Sequence, residues 1–171
     1  MGPLSISRKN QGYLKNMEKE AMPRKIIYKN MLLPLDGSEE AEKRVKEAVS
    51  LVKLTGGELI LLHVVELFPF RGQDRAAEFN YLKTPREEYL NKVKTAVEAE
   101  GVKVKTVIIP GKPAEEICKY AARNDVDIVL VSPSGIGGIV GWALGSVADK
   151  VARHCPKPVL LIKRRKEITD E

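Results

Sequence analysis

Five of the chain's thirteen glycines fall within fifteen residues, Ser132-Pro-Ser-Gly-Ile-Gly-Gly-Ile-Val-Gly-Trp-Ala-Leu-Gly-Ser146. Before them runs Asp127-Ile-Val-Leu-Val131, apolar and of strand length; after them Val147, Ala148, Val151 and Ala152 recur at helical spacing until Pro156. A glycine loop between a strand and a helix start is an anion site. Glycine lets backbone amides approach a ligand closely, and the first helical turn leaves N–H groups unpaired and positive, so phosphate is the ligand it suits. Neither Gly-x-x-x-x-Gly-Lys-Ser/Thr nor a helix-opening Gly-x-Gly-x-x-Gly is present. Asp36 is the second group with chemistry to offer, because it ends another apolar run, Met31 to Leu35. Its carboxylate can accept from a sugar hydroxyl or help hold a metal on phosphates; the competing role is turn chemistry with Gly37 and Ser38.

Other reactive side chains carry less. His63 sits in an apolar strand with no Ser or Cys nucleophile motif beside it, which reads as a structural histidine. His154 falls at the end of a helical pattern and is assigned no chemistry. Cys118 and Cys155 lie far apart in helical patterns, without Cys-x-x-Cys spacing, and read as buried free thiols rather than a disulfide frame or zinc site. No catalytic residue and no enzyme activity is read from this set, although slow hydrolysis of a bound nucleotide needs no dedicated base.

Five strand-length apolar runs position these groups, at 31–35, 58–65, 102–109, 126–132 and 158–162, alternating with helical patterns. That rhythm predicts one α/β domain with a parallel sheet and crossover helices. The first helix follows Ser38, an N-cap with Glu39 and Glu40 behind it; it buries Ala41, Val45, Ala48, Val49 and Val52 and ends at Gly56-Gly57. Thr84-Pro-Arg-Glu87 reads as the start of the second, closed by Gly101, and Pro113 opens the third. Residues 66–83 then form a long excursion, either a lid or a tolerated insertion.

Exposure patterns order the strands. Leu59 to Val65 and Ile128 to Val131 are continuous apolar runs, as central parallel strands require, whereas Val102-Lys-Val-Lys-Thr106 alternates like a guarded edge. The order 3-2-1-4-5 follows, an open doubly wound sheet with strands 1 and 4 adjacent where the winding reverses. Their carboxyl ends form the crevice that such sheets use for ligands, and Asp36 and the glycine loop converge on it. Strand 158–162 is the opposite edge and too apolar to lie open, which predicts a two-fold homodimer through it.

A chain of 171 residues with 43% hydrophobic content can fill one core. The division is an N-terminal extension over 1–25, the domain over 26–164 and a charged tail over 165–171. The extension carries Leu4, Ile6, Tyr13, Leu14 and Met17, which either dock on a dimer mate or fray. No apolar run reaches bilayer length and no leader-like stretch follows the N-terminal basic residues, so the expectation is a cytoplasmic protein without membrane contact. The net charge of +6 sits on the flanks: residues 1–25 hold six basic and two acidic side chains and 163–171 four and three, leaving nineteen against eighteen between them. That distribution argues against a nucleic acid groove, which needs a basic face on the fold itself. Lys163-Arg-Arg-Lys166 reads as a solvated end.

Gly135, nine residues, then Gly145-Ser146 resembles the universal stress protein family, whose ATP-binding members carry Gly, two residues, Gly, nine residues, Gly, then Ser or Thr. Ser132 stands at the first glycine of that pattern. The resemblance extends over about residues 28–164 through Met31-Leu-Leu-Pro-Leu-Asp-Gly-Ser38, Leu61-Leu-His-Val-Val65 and Gly111-Lys-Pro-Ala-Glu-Glu-Ile117. It implies a Rossmann-like fold of the adenine nucleotide α-hydrolase type, and a homodimer that binds ATP, alone or with Mg or Mn, to regulate an unidentified protein partner. It also implies the site: Pro34, Leu35 and Val64 beside the adenine, Asp36 in ligand contact, Gly145 and Ser146 at the outer phosphates, Ser132 at ribose or phosphate, and Val131, Gly135, Gly138 and Val147 as further nucleotide contacts. Trp142 would anchor the loop to the core or the dimer seam. The same resemblance admits a dimeric module that does not bind ATP, with Ser132 as its mark. Enzymes of the related α-hydrolase type need Ser-Gly-Gly-x-Asp-Ser after strand 1, where this chain has Asp36-Gly-Ser38.

Overall fold

The computed structural model describes residues 28–67, 74–133 and 144–163. Gly135, Gly138, Trp142, the extension over 1–25 and the tail over 165–171 lie outside the described residues, as do Phe68 to Gln73 of the excursion. The elements are β1 (Asn30–Pro34), α1 (Glu39–Glu42), α2 (Val45–Thr55), β2 (Glu58–Val65), α3 (Arg75–Ala99), β3 (Lys103–Pro110), α4 (Pro113–Arg123), β4 (Ile128–Val131), α5 (Ser146–His154) and β5 (Val159–Leu161). All pairings are parallel and the sheet order is β3-β2-β1-β4-β5, as the exposure patterns require.

Because strand side chains alternate between faces, one sheet feeds two cores. Met31, Leu33, Leu59, Leu61 and Leu130 pack under α1, α2 and α3, with Ala41, Ala48, Val52, Leu90 and Val97. Leu32, Ile60, Leu62, Val129 and Val131 pack under α4 and α5, against Ile117, Ala121, Ala148 and Val151. Among the described residues no helix is long and apolar enough to cross a membrane.

Three local readings are corrected. The second helix begins at Arg75, not Thr84, since the Asp74 carboxylate accepts from the amides of Ala76 (2.9 Å) and Ala77 (3.4 Å) and strong helix formers follow. Pro85 therefore lies inside α3. Its missing N–H leaves the Tyr81 carbonyl without a helical donor on a wet stretch, Tyr81 being 82% exposed, where water can serve. The supposed excursion over 66–83 shrinks accordingly to the connection before Arg75. The first helix is two pieces: after Ser38 caps α1 through Ala41 N (3.1 Å), the Arg44 amide bonds back three residues to Ala41 O (3.0 Å) and a new helix starts at Val45. On α5, Val147 and Ala152 face solvent rather than the core, which takes Ala148 and Val151.

The sheet's amino end is held by a side chain. Asp127 Oδ2 accepts from the amides of Lys29 and Asn30, both at 2.8 Å, while Asp127 N donates to Asn30 O at 2.9 Å. This pins β1 beside β4 at the register Met31↔Ile128 and Leu32↔Val129. Asp127→Ala should lower folding stability by about 2–3 kcal/mol, because two backbone donors lose a charged acceptor. Urea unfolding would show a lower midpoint at an unchanged slope.

Candidate functional site

The site is assembled where β1 and β4 end. Pro34 has no N–H, yet the ladder continues past it, with Leu35 N donating to Leu62 O at 2.8 Å. Leu35 O in turn accepts from His63 Nδ1 at 2.8 Å, and since a carbonyl only accepts, the ring proton sits on Nδ1. Leu35 is thus tied to β2 through both main-chain groups, and the chain leaves the sheet at Asp36. There Gly37 takes φ +86°, a left-handed conformation that favours glycine, and folds Ser38 N back onto Asp36 Oδ1 at 3.0 Å. Asp36 does make the local turn, and it stands exposed at the carboxyl edge of the sheet.

His63 is buried, as the structural reading required. Burial pulls its pKa below the ordinary 6.5 and the Arg86 cation adds to that, against the opposing pull of the Leu35 bond and Asp36. An unfolded chain takes up this proton near 6.5 and the folded one only at lower pH. The stability that the neutral ring supports is therefore complete above that value and is lost as pH falls below it. Chemical denaturation between pH 7 and 5 should show this loss, and His63→Leu should flatten it.

Two residues that sequence reasoning missed come from α3. The hydroxyl of Tyr89 is buried without a hydrogen-bond partner among the described residues, and burial, then the Glu42 and Asp36 carboxylates, push its pKa up to about 12. Arg86, one turn earlier, lies within electrostatic range of His63. The signal was available: Arg86, Leu90, Val93 and Val97 recur at helical spacing, with Tyr89 beside them.

On the other strand, β4 ends at Val131, whose carbonyl accepts from Ile162 N at 2.9 Å. Ser132 and Pro133 follow, half-buried, and Pro133 O accepts from Gly145 N at 2.7 Å. One hydrogen bond thus closes the neck of the loop, bringing Ser132 and Pro133 to the start of α5. It also corrects the reading of Gly145, whose amide is spent on protein and whose φ of −61° needs no glycine. Gly145 is the N-cap of α5 without a side-chain cap, and Asp149 N closes the first turn onto Gly145 O at 2.9 Å. The amides of Ser146, Val147 and Ala148 have no intrahelical acceptor there, and Ser146 adds an exposed hydroxyl.

The remaining expected site residues divide by face. Val64 and Val131 lie on the α4/α5 side of the sheet, Val64 only half-buried. Leu35 is 2% exposed and points into the opposite core, so its side chain is not brought to Val64. Pro34 is half-buried at the end of β1, and continuing the β1–β4 register sets it level with Val131. Among the described residues no three His, Cys, Asp or Glu side chains cluster to hold a metal ion.

A parallel sheet that reverses its winding between β1 and β4, with a pinned loop and a helix start at their carboxyl ends, defines a doubly wound α/β protein with its crevice at the switch point. The chain belongs to the universal stress protein family, whose model matches residues 27–163. Universal stress protein MJ0531 of Methanocaldococcus jannaschii is 32% identical over 145 residues, which cover 82% of this chain and 85% of that protein. Universal stress protein MJ0577 of the same organism is 35% identical over 158 residues, covering 82% and 98%. The solved structure of MJ0577 superimposes with a TM-score of 0.70, over 83% of this chain and all of that one. The universal stress protein from Archaeoglobus fulgidus in complex with dAMP, at 22% identity, matches in fold with a TM-score of 0.58, over 80% and 99%.

Proposed function

We propose that the chain binds an adenine nucleotide, foremost ATP, in the crevice between β1 and β4, and that as a cytoplasmic homodimer it passes occupancy to a protein partner. The observation that carries this reading is the pinned neck: Pro133 O on Gly145 N holds the unsatisfied first turn of α5 beside the end of β4, one strand from Asp36. Ser146, Val147 and Ala148 would give amides to phosphates and Ser146 its hydroxyl, while Asp36 would accept from the ribose or bear on a Mg or Mn ion held by the phosphates. Val64, Val131 and Pro34 would flank the base, with Ser132, Gly135 and Gly138 completing the loop. The dAMP complex of the Archaeoglobus fulgidus protein supports an adenine nucleotide as the ligand class. Mass spectrometry of protein purified without added nucleotide tests this, with a co-eluting adenine nucleotide as the expected result.

Among the described residues β5 is bonded on one side only, to β4, and Leu160 is 39% exposed on it, which supports the homodimer through 158–162. Light scattering after size exclusion should give twice the chain mass at micromolar concentration, and monomer alone would refute it. No hydrolysis is assigned, since His63 is buried with its proton committed to Leu35.

A second reading is a dimeric module without ATP, favoured by Ser132 and by the engaged amide of Gly145. Ser132→Gly separates the two. On the first reading it changes nucleotide affinity only a few-fold, and on the second it creates binding that the parent chain lacks.

A further inference from the structure

Cys118 and Cys155, thirty-seven positions apart in sequence, meet in the folded chain. Cys118 follows the core residue Ile117 on α4, and Cys155 is the C-cap of α5, its amide bonded to Val151 O at 2.9 Å. The two helices lie side by side on one face of the sheet, and both thiols are half-buried against the same apolar cluster. The two side chains interact across the seam between these helices. No part of the crevice uses them.

We propose that Cys118 and Cys155 form a reversible redox pair that closes into an intramolecular disulfide on exposure to hydrogen peroxide, stapling α4 to the end of α5. One of the two thiolates attacks peroxide: an S–O bond forms, the O–O bond breaks, and the departing hydroxide leaves as water with the thiol's proton. The other cysteine then attacks that sulfenic acid. An S–S bond forms, the S–O bond breaks, and the hydroxyl leaves with the attacking thiol's proton as a second water. Two thiols have lost two electrons and two hydrogens, and one peroxide has become two waters. Burial and the neighbouring Cys155 push the Cys118 thiol up to about 11. The staple fixes the helix whose other end opens at Ser146, and a reducing thiol reopens it.

The test treats the reduced full-length chain with hydrogen peroxide, blocks remaining thiols with iodoacetamide and maps peptides without reduction. The expected product is a monomer lighter by two hydrogens, with one cross-linked peptide pair joining Cys118 and Cys155, restored by dithiothreitol. Cys118→Ser and Cys155→Ser should each abolish the cross-linked pair, and at least one of them should leave a dimedone-reactive sulfenic acid on the remaining cysteine. Full alkylation of both thiols after peroxide, disulfides only between chains, or sulfinic acid on separate cysteines would each overturn the proposal.

Discussion

Gly57→Ala should remove about 3 kcal/mol or more of folding stability, a large share of what a domain of this size holds. Gly57 precedes β2, and a Cβ there would overlap the carbonyl, carbonyl carbon and Cα of Lys29. Lys29 cannot step aside. Its carbonyl accepts from Glu58 N at 2.8 Å, its amide is held by Asp127, and Asn30 pairs with Glu58 in the β1–β2 register. Gly56→Ala supplies the comparison. Gly56 is left-handed (φ 65°) with open space around it, so a methyl group there costs only the conformational penalty, about 1–2 kcal/mol. Urea unfolding of the two variants should rank them in that order. Equal losses would mean that close approach of the two backbones does not set the start of the sheet.

Replacing Asp36 should weaken adenine-nucleotide binding by about 10- to 100-fold, the loss expected when a charged hydrogen bond of about 1.5–3 kcal/mol is removed. Asp36→Ala alone would be ambiguous, because it also deletes the acceptor for Ser38 N and loosens the entry to α1. Asp36→Asn keeps an oxygen for that turn while removing the charge. The expected pattern is stability close to the parent chain for Asp36→Asn, with affinity reduced in both variants. Wild-type affinity in Asp36→Asn would reduce Asp36 to its turn.

Much of the fold was legible because burial writes itself into period and composition. The continuous run Leu59 to Val65 announced a central strand and Lys103 and Lys105 marked an edge, and the sheet order followed from those exposures. What escaped notice depended on competition between local signals. Thr84-Pro85 is a sound helix start by residue type, but Asp74 and the helix formers behind it act ten residues earlier, and an exposed helical turn tolerates a proline. Interactions between elements distant in sequence were hidden altogether: Tyr89 in the field of Asp36, Cys118 with Cys155, and Asp127 bonded to β1. At the candidate site, the glycine spacing singled out a segment, whereas the direction of each amide is a tertiary property. Gly145 turns its N–H to Pro133, and the donors pass to the first turn of α5.

The most direct test of nucleotide binding is isothermal titration of the reduced chain with Mg-ATP. Saturable heat at one site per chain, weakened at least tenfold in Asp36→Asn, is the predicted result. No heat, and no shift in the unfolding temperature at millimolar nucleotide, would contradict it.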